Sequence, residues 1–91
     1  MRVTWTGKAL DDLARLHGFL KPVNPQAAAA VVKQLTAGAK TLARHPRIGS
    51  LLPEFAPRDV HRLIIGDYEM RYALVDDAVF IVRLWHTRED R

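Results

Sequence analysis

The stretch HRLIIGDYEMRYALVDDAVFIVRLWHTRED, residues 61–90, decides the fold. Val60, Arg62 and Ile64 alternate with His61, Leu63 and Ile65, the period of two that a strand imposes. Gly66-Asp67 interrupts the run, and glycine's freedom to take positive φ suits a two-residue hairpin turn. Tyr68, Met70, Tyr72 and Leu74 then share one face, with Glu69, Arg71, Ala73 and Val75 on the other. Asp76-Asp77 makes the next turn. Val79 to Trp85 is apolar except for Arg83, the pattern of a central strand buried on both faces. These runs predict a meander of three antiparallel strands that ends in an aromatic-basic tail, Trp85-His86-Thr87-Arg88.

Upstream, Arg2 to Trp5 reads as a short strand, placed against the last strand of the meander. Thr6 offers a hydroxyl at a helix N-cap. Leu10, Leu13, Leu16 and Leu20 follow at helical spacing with Ala9 at their edge, and Lys8, Asp11, Asp12 and Arg15 are read onto the opposite side. Pro22 ends this helix near Lys21, because the residue before proline avoids helical dihedrals. Asn24-Pro25 opens a second helix, with proline at the first helical position. Its apolar face is Ala28, Val31, Val32, Leu35, Ala39 and Leu42, and His45-Pro46 closes it. A short connection makes the two helices an antiparallel hairpin. Arg47 to Pro57, with Gly49, Pro53 and Pro57, reads as a loop holding at most one short extended piece. The expected fold is therefore α+β in one domain over residues 1–91: strand, helical hairpin, meander, with the helices on one face of the sheet.

The chain has 91 residues, 48% of them hydrophobic and 26% charged, as in ordinary globular domains. It has no cysteine, which removes disulfides and thiolate metal sites and fits a cytoplasmic setting. No run reaches the roughly 20 apolar residues that span a bilayer, and Met1 to Trp5 lacks a signal core. No membrane association and no cofactor are expected. His17, His45 and His61 are scattered without ligand spacing, so no metal site is expected either. The net charge is +4. Residues 1–57 carry eight basic and three acidic groups, whereas residues 58–91 carry six and seven. The positive field lies in the first part and favours anionic partners.

The order of these pieces resembles the RelE/ParE superfamily, the toxins of type II toxin–antitoxin systems. Nearly the whole chain takes part. Trp5-Thr6 stands before Ala9-Leu10-Asp11-Asp12-Leu13, and Asn24-Pro25-Gln26-Ala27-Ala28 opens the second helix. Leu42-Ala43-Arg44-His45-Pro46-Arg47-Ile48-Gly49 is similar to the family's Leu-x-x-x-Pro-x-x-Gly. Arg62-Leu63, Tyr68 and Arg71-Tyr72 follow, and the ending Ile81 to Asp90 matches the family's closing strand and His-x-x-Arg/Glu-Asp tail. The resemblance implies an antitoxin partner that folds on binding, and one of two targets. RelE-like members cleave mRNA in the ribosome, and ParE-like members inhibit DNA gyrase.

Metal-free RNA cleavage needs a base, an acid and cations on the phosphate. The candidate set here is Arg62, Arg71, His86 and Arg88. RelE-like toxins tend to carry a Tyr-Arg-x-x-Tyr strand whose arginine faces the phosphate. The similar strand here reads Tyr68-Glu69-Met70-Arg71-Tyr72, which puts Glu69 at that position, and Arg71 shares its face and can pair with it instead. No lysine follows Lys40. These departures favour the ParE-like reading, a gyrase inhibitor acting by contact. The alternatives are a ribosome-dependent mRNA interferase and a non-toxic binding module. Candidate partner contacts are Lys33, Lys40, Arg44, Arg58, Arg62, Arg83, Trp85, His86 and Arg88. Plainer roles stand beside these. Lys33, Lys40 and Arg44 form a stripe that serves solvation or an acidic partner. Trp85 is a core anchor or an exposed hot spot, with the core preferred. Tyr68 and Tyr72 are expected in the core beneath the helices.

Overall fold

The computed structural model describes residues 1–90. The elements run β1 (Arg2–Trp5), α1 (Gly7–Leu20), α2 (Pro25–Thr41), β2 (Ser50–Leu51), a 3₁₀ turn (Pro53–Phe55), β3 (Asp59–Ile65), β4 (Tyr68–Val75) and β5 (Ala78–His86). They build one five-stranded sheet in the order β1-β5-β4-β3-β2. β1 runs parallel to β5, and every other neighbouring pair is antiparallel. The α+β architecture is as expected, and β5 lies between the meander and the N-terminal strand. Ser50–Leu51 is the one short extended piece of the loop, and it adds an edge strand to β3.

The local signals act where the sequence puts them. The Thr6 hydroxyl accepts from the Ala9 N–H at 3.1 Å, and the Asn24 side chain accepts from the Ala27 N–H at 3.0 Å. Each satisfies one of the N–H groups that a helix start leaves without a partner. The hairpin after β3 closes through Gly66 at φ 60°, and the one after β4 through Asp76 at φ 53°. Aspartate tolerates that left-handed conformation better than most residues.

The helices cover one face of the sheet. Leu35, Leu42, Met70, Tyr72, Val79, Ile81 and Leu84 are fully buried there, with Ala9, Leu16 and Tyr68 beside them. Tyr68, Met70 and Tyr72 thus occupy the core expected of them. The other face is partly covered by the loop, where Leu52 and Phe55 pack on Val60, Ala73 and Val82.

Two helix α1 assignments are corrected. Leu10 is 51% exposed and not on the core face. Asp12, read onto the outer side, is buried against the sheet. The buried positions Ala9, Asp12 and Leu16 recur at three and four residues, so the true face is rotated from the leucine stripe. A carboxylate sits inside that face because β5 needs an acceptor at this point.

Candidate functional site

The decisive local feature is a β-bulge. Arg71 pairs with Arg83, but Tyr72 pairs with Ile81, so Val82 has no opposite residue on β4. One extra residue reverses the alternation beyond it. Val79 and Ile81 face the helices before the bulge, and Leu84 does so after it. Strict alternation from Ile81 would have put Arg83 and Trp85 under the helices. The bulge turns them to the opposite face, beside Glu69 and Arg71. Trp85 is buried, as the preferred reading had it, but on the face away from the helical core.

On that face the charges are mutually engaged. Glu69 is 2% exposed and lies 3.4 Å from the Arg71 guanidinium, with Arg62 at 3.9 Å. The Arg71 guanidinium also stacks over the Phe55 ring at 5.2 Å and the Trp85 ring at 4.6 Å. Arg83 lies 5.0 Å from the same indole. Arg71 and Arg83 stand opposite each other on neighbouring strands, a like-charge pair that would repel if left alone. Glu69, Asp12 and the π face between them remove that cost.

Arg83 reaches the other way as well. Its Nε donates to Asp12 at 2.7 Å, and the Leu84 N–H donates to the same carboxylate at 2.9 Å. Burial pushes the Asp12 carboxyl up, but the bonds from Arg83, Leu84 and Arg15 outweigh it and hold the group below its ordinary value. The Arg83 guanidinium is pushed up, first by its bond to Asp12. Asp12 thus serves as the edge partner that β5 lacks once β1 has ended at Trp5. Thr6 and Arg15 assist, bonding to the Val82 and Leu84 carbonyls.

The tail folds back on itself. The His86 N–H donates to Glu89 at 2.8 Å, and the Arg88 N–H donates to His86 Nδ1 at 3.1 Å. That second bond assigns the neutral ring proton to Nε2. Glu89 also pairs with Arg15 on α1. His86 meets Tyr68 edge to face at 5.2 Å between ring centres. Between tail and α1 lies a groove of about 450 Å³, floored by Leu16, Leu20 and Tyr68 and flanked by Phe19, His86 and Arg88. Burial, then Asp67 and Glu89, pushes the Tyr68 phenol up.

The four candidate nuclease residues are therefore divided. Arg62 and Arg71 stand beside Glu69 on one face. His86 and Arg88 stand at the groove on the other. The candidate partner contacts are also dispersed. Lys33, Lys40 and Arg44 lie on the exposed side of α2 and its exit, Arg58 is exposed before β3, and Arg83 is held by Asp12. The Pro46–Gly49 loop is bound to the sheet. The Gly49 N–H donates to the Tyr72 hydroxyl at 2.9 Å, and His61 stacks on Tyr72 while touching Gly49 and Asp59. A Cβ on Gly49 would lie 2.4 Å from the Arg62 carbonyl oxygen, which explains the glycine. Among the described residues, no cluster of three potential metal ligands occurs, and no helix is long and apolar enough to cross a membrane.

Comparison with known proteins agrees with this architecture. Residues 3–91 match the model for the ParE toxin of the type II toxin–antitoxin system, parDE. The chain belongs to the ParE toxin family. Toxin RelE2 of Caulobacter vibrioides is 33% identical to this ParE-family chain over 86 residues, covering 93% of both. A solved structure described as the chromosomal ParDE TA system from P. aeruginosa shares its fold, with a TM-score of 0.79 at 21% identity over 94% of this chain and 95% of that one.

Phe19, Arg15, Glu89 and Asp12 were not singled out as functional positions from sequence. For Asp12 a signal existed, since it falls three residues after Ala9 and four before Leu16. Glu89 falls in the tail motif, three residues after the His86 whose N–H it accepts, but its pairing with Arg15 had no signal, because that partner is 74 residues away.

Proposed function

We propose that this ParE-family toxin acts on DNA gyrase by protein contact, without nuclease chemistry of its own, and that a cognate antitoxin neutralises it in the cytoplasm. One observation carries the reading. The two arginines suited to a phosphate, Arg62 and Arg71, flank a buried glutamate on the face opposite His86. A cleaving site needs an acid or base and its phosphate clamp within reach of one scissile bond. Here Arg71 is bound by Glu69 and stacked on two rings, so its charge is already spent. The antitoxin follows from family membership, and the name ParDE of the structural neighbour supports it.

The competing reading is ribosome-dependent mRNA cleavage. It draws on the relative named RelE2 and on the groove, where His86 and Arg88 stand beside Tyr68. Translating ribosomes programmed with a defined mRNA separate the two. Gyrase action predicts intact mRNA with wild-type toxin. Codon-positioned cuts that vanish in His86→Ala would replace it with the nuclease reading. Growth unaffected by expression, with neither target touched, would leave only a binding module.

A further inference from the structure

Between Pro22 and Pro53 the chain contains no aspartate or glutamate, yet it carries Lys33, Lys40, Arg44 and Arg47. Arg47 is paired with Asp59 at 2.8 Å. The other three have no ion pair among the described residues, and all are exposed. Lys33 and Lys40 are seven residues apart, so they share a helix face about 10 Å apart along the axis. Arg44 follows in the turn after α2, where its N–H bonds back to the Thr41 carbonyl. The buried residues Ala28, Val31, Leu35 and Ala39 lie on the other side of the helix. The stripe is therefore directed wholly outward.

Its surroundings select the partner. The exposed neighbours are Ala29, Ala30, Gln34 and Ala37, short or neutral side chains that let a bulky polyanion approach. A protein interface needs aromatic or aliphatic anchors at its centre, and this face has none. A nucleic-acid backbone needs only accessible cations, since a duplex carries one negative charge per about 1.7 Å of axis. We infer that the outer face of α2, through Lys33, Lys40 and Arg44, is a sequence-independent contact for duplex DNA. This deepens the gyrase reading, whose target complex contains DNA, but it is measured without gyrase and can fail or stand separately from it.

The test is fluorescence anisotropy of a labelled duplex of about 30 base pairs titrated with the full chain between about 50 and 200 mM salt. Three neutralised phosphates give a salt slope of about −2.7, so affinity should fall about forty-fold across that range. The triple variant K33Q/K40Q/R44Q should lose the slope and bind at least about tenfold more weakly at the lowest salt. The control K8Q/K21Q, at exposed lysines elsewhere, should bind within about twofold of wild type. Circular dichroism confirms that each variant is folded. The inference is overturned by absence of binding at the lowest salt, by a triple variant that binds normally, or by an equal loss in the control. Equal affinity for poly-glutamate would also overturn it, in favour of an acidic protein partner.

Discussion

Along Ala78–Ile81 the outer edge of β5 is closed by β1, backbone to backbone; along Val82–Leu84 the same edge is closed by the side chains of Thr6, Asp12 and Arg15. The first closure is indifferent to side-chain identity, because every residue but proline brings an N–H and a C=O. The second depends on three particular residues and places charge inside the packing. The difference shows where a substitution should hurt most, and it accounts for an aspartate on the buried face of a helix. It also bears on function. The arginines around this closure are structural cations, with Arg83 held by Asp12 and Arg71 by Glu69.

The largest predicted effect comes from removing the side-chain closure. Asp12→Ala leaves the Leu84 N–H and the Arg83 guanidinium without their acceptor, and should cost about 3 kcal/mol in denaturant unfolding. Asp12→Asn retains one acceptor and should cost about half as much. A cost below about 0.5 kcal/mol for the alanine variant would mean that β5 does not need this partner.

Acid should act on the same closure. Asp12 titrates below the ordinary 3.8 in the folded state, so its contribution is complete above that value and is lost as pH falls through the lower folded pKa. Asp59 is lowered too, chiefly by its bond to His61, and adds to the loss in the same direction. Thermal melts from neutral pH downward should fall most steeply below about pH 4. Asp12→Asn should flatten that descent, and an unchanged slope would contradict the assignment.

The far edge of the sheet, where β2 meets β3, returns to backbone closure with one hydroxyl added. Gly49→Ala forces a Cβ into the Arg62 carbonyl and should cost about 2 kcal/mol. Tyr72→Phe removes only the hydroxyl that Gly49 uses, for about 1 kcal/mol. If the phenylalanine variant were the worse of the two, the tight approach at Gly49 would not be the constraint described. The smallest effect belongs to Glu89→Gln. Arg15 and Glu89 are both partly exposed, and solvent screening leaves such a pair below about 1 kcal/mol. Melts in low and high salt should converge for wild type and variant.

What the sequence made legible follows from the range of each interaction. Thr6, Asn24-Pro25, Gly66-Asp67 and Asp76-Asp77 act within a few residues, and each helix start and hairpin stands where they place it. β5 was legible as a central strand, but the bulge at Val82 was not. In a run as apolar as Val79 to Trp85, shifting the alternation by one residue leaves the pattern equally hydrophobic. The face of Trp85 was hidden for that reason. Asp12 was misplaced because its partners, Arg83 and Leu84, are 71 and 72 residues away. Of the site, the Glu69–Arg71 pairing was foreseeable from their shared face. The groove between α1 and the tail was not, since it requires Phe19, Tyr68 and His86 to be brought together by the fold.

The charged face holds its arginines in structural pairs, and we propose that action on gyrase proceeds by contact. The most direct measurement mixes purified wild-type chain with gyrase, ATP and supercoiled plasmid, then denatures the enzyme and resolves the DNA. Linear plasmid should appear only when both proteins are present. Undiminished supercoiling with no linear product, alongside mRNA cut on translating ribosomes, would contradict this proposal.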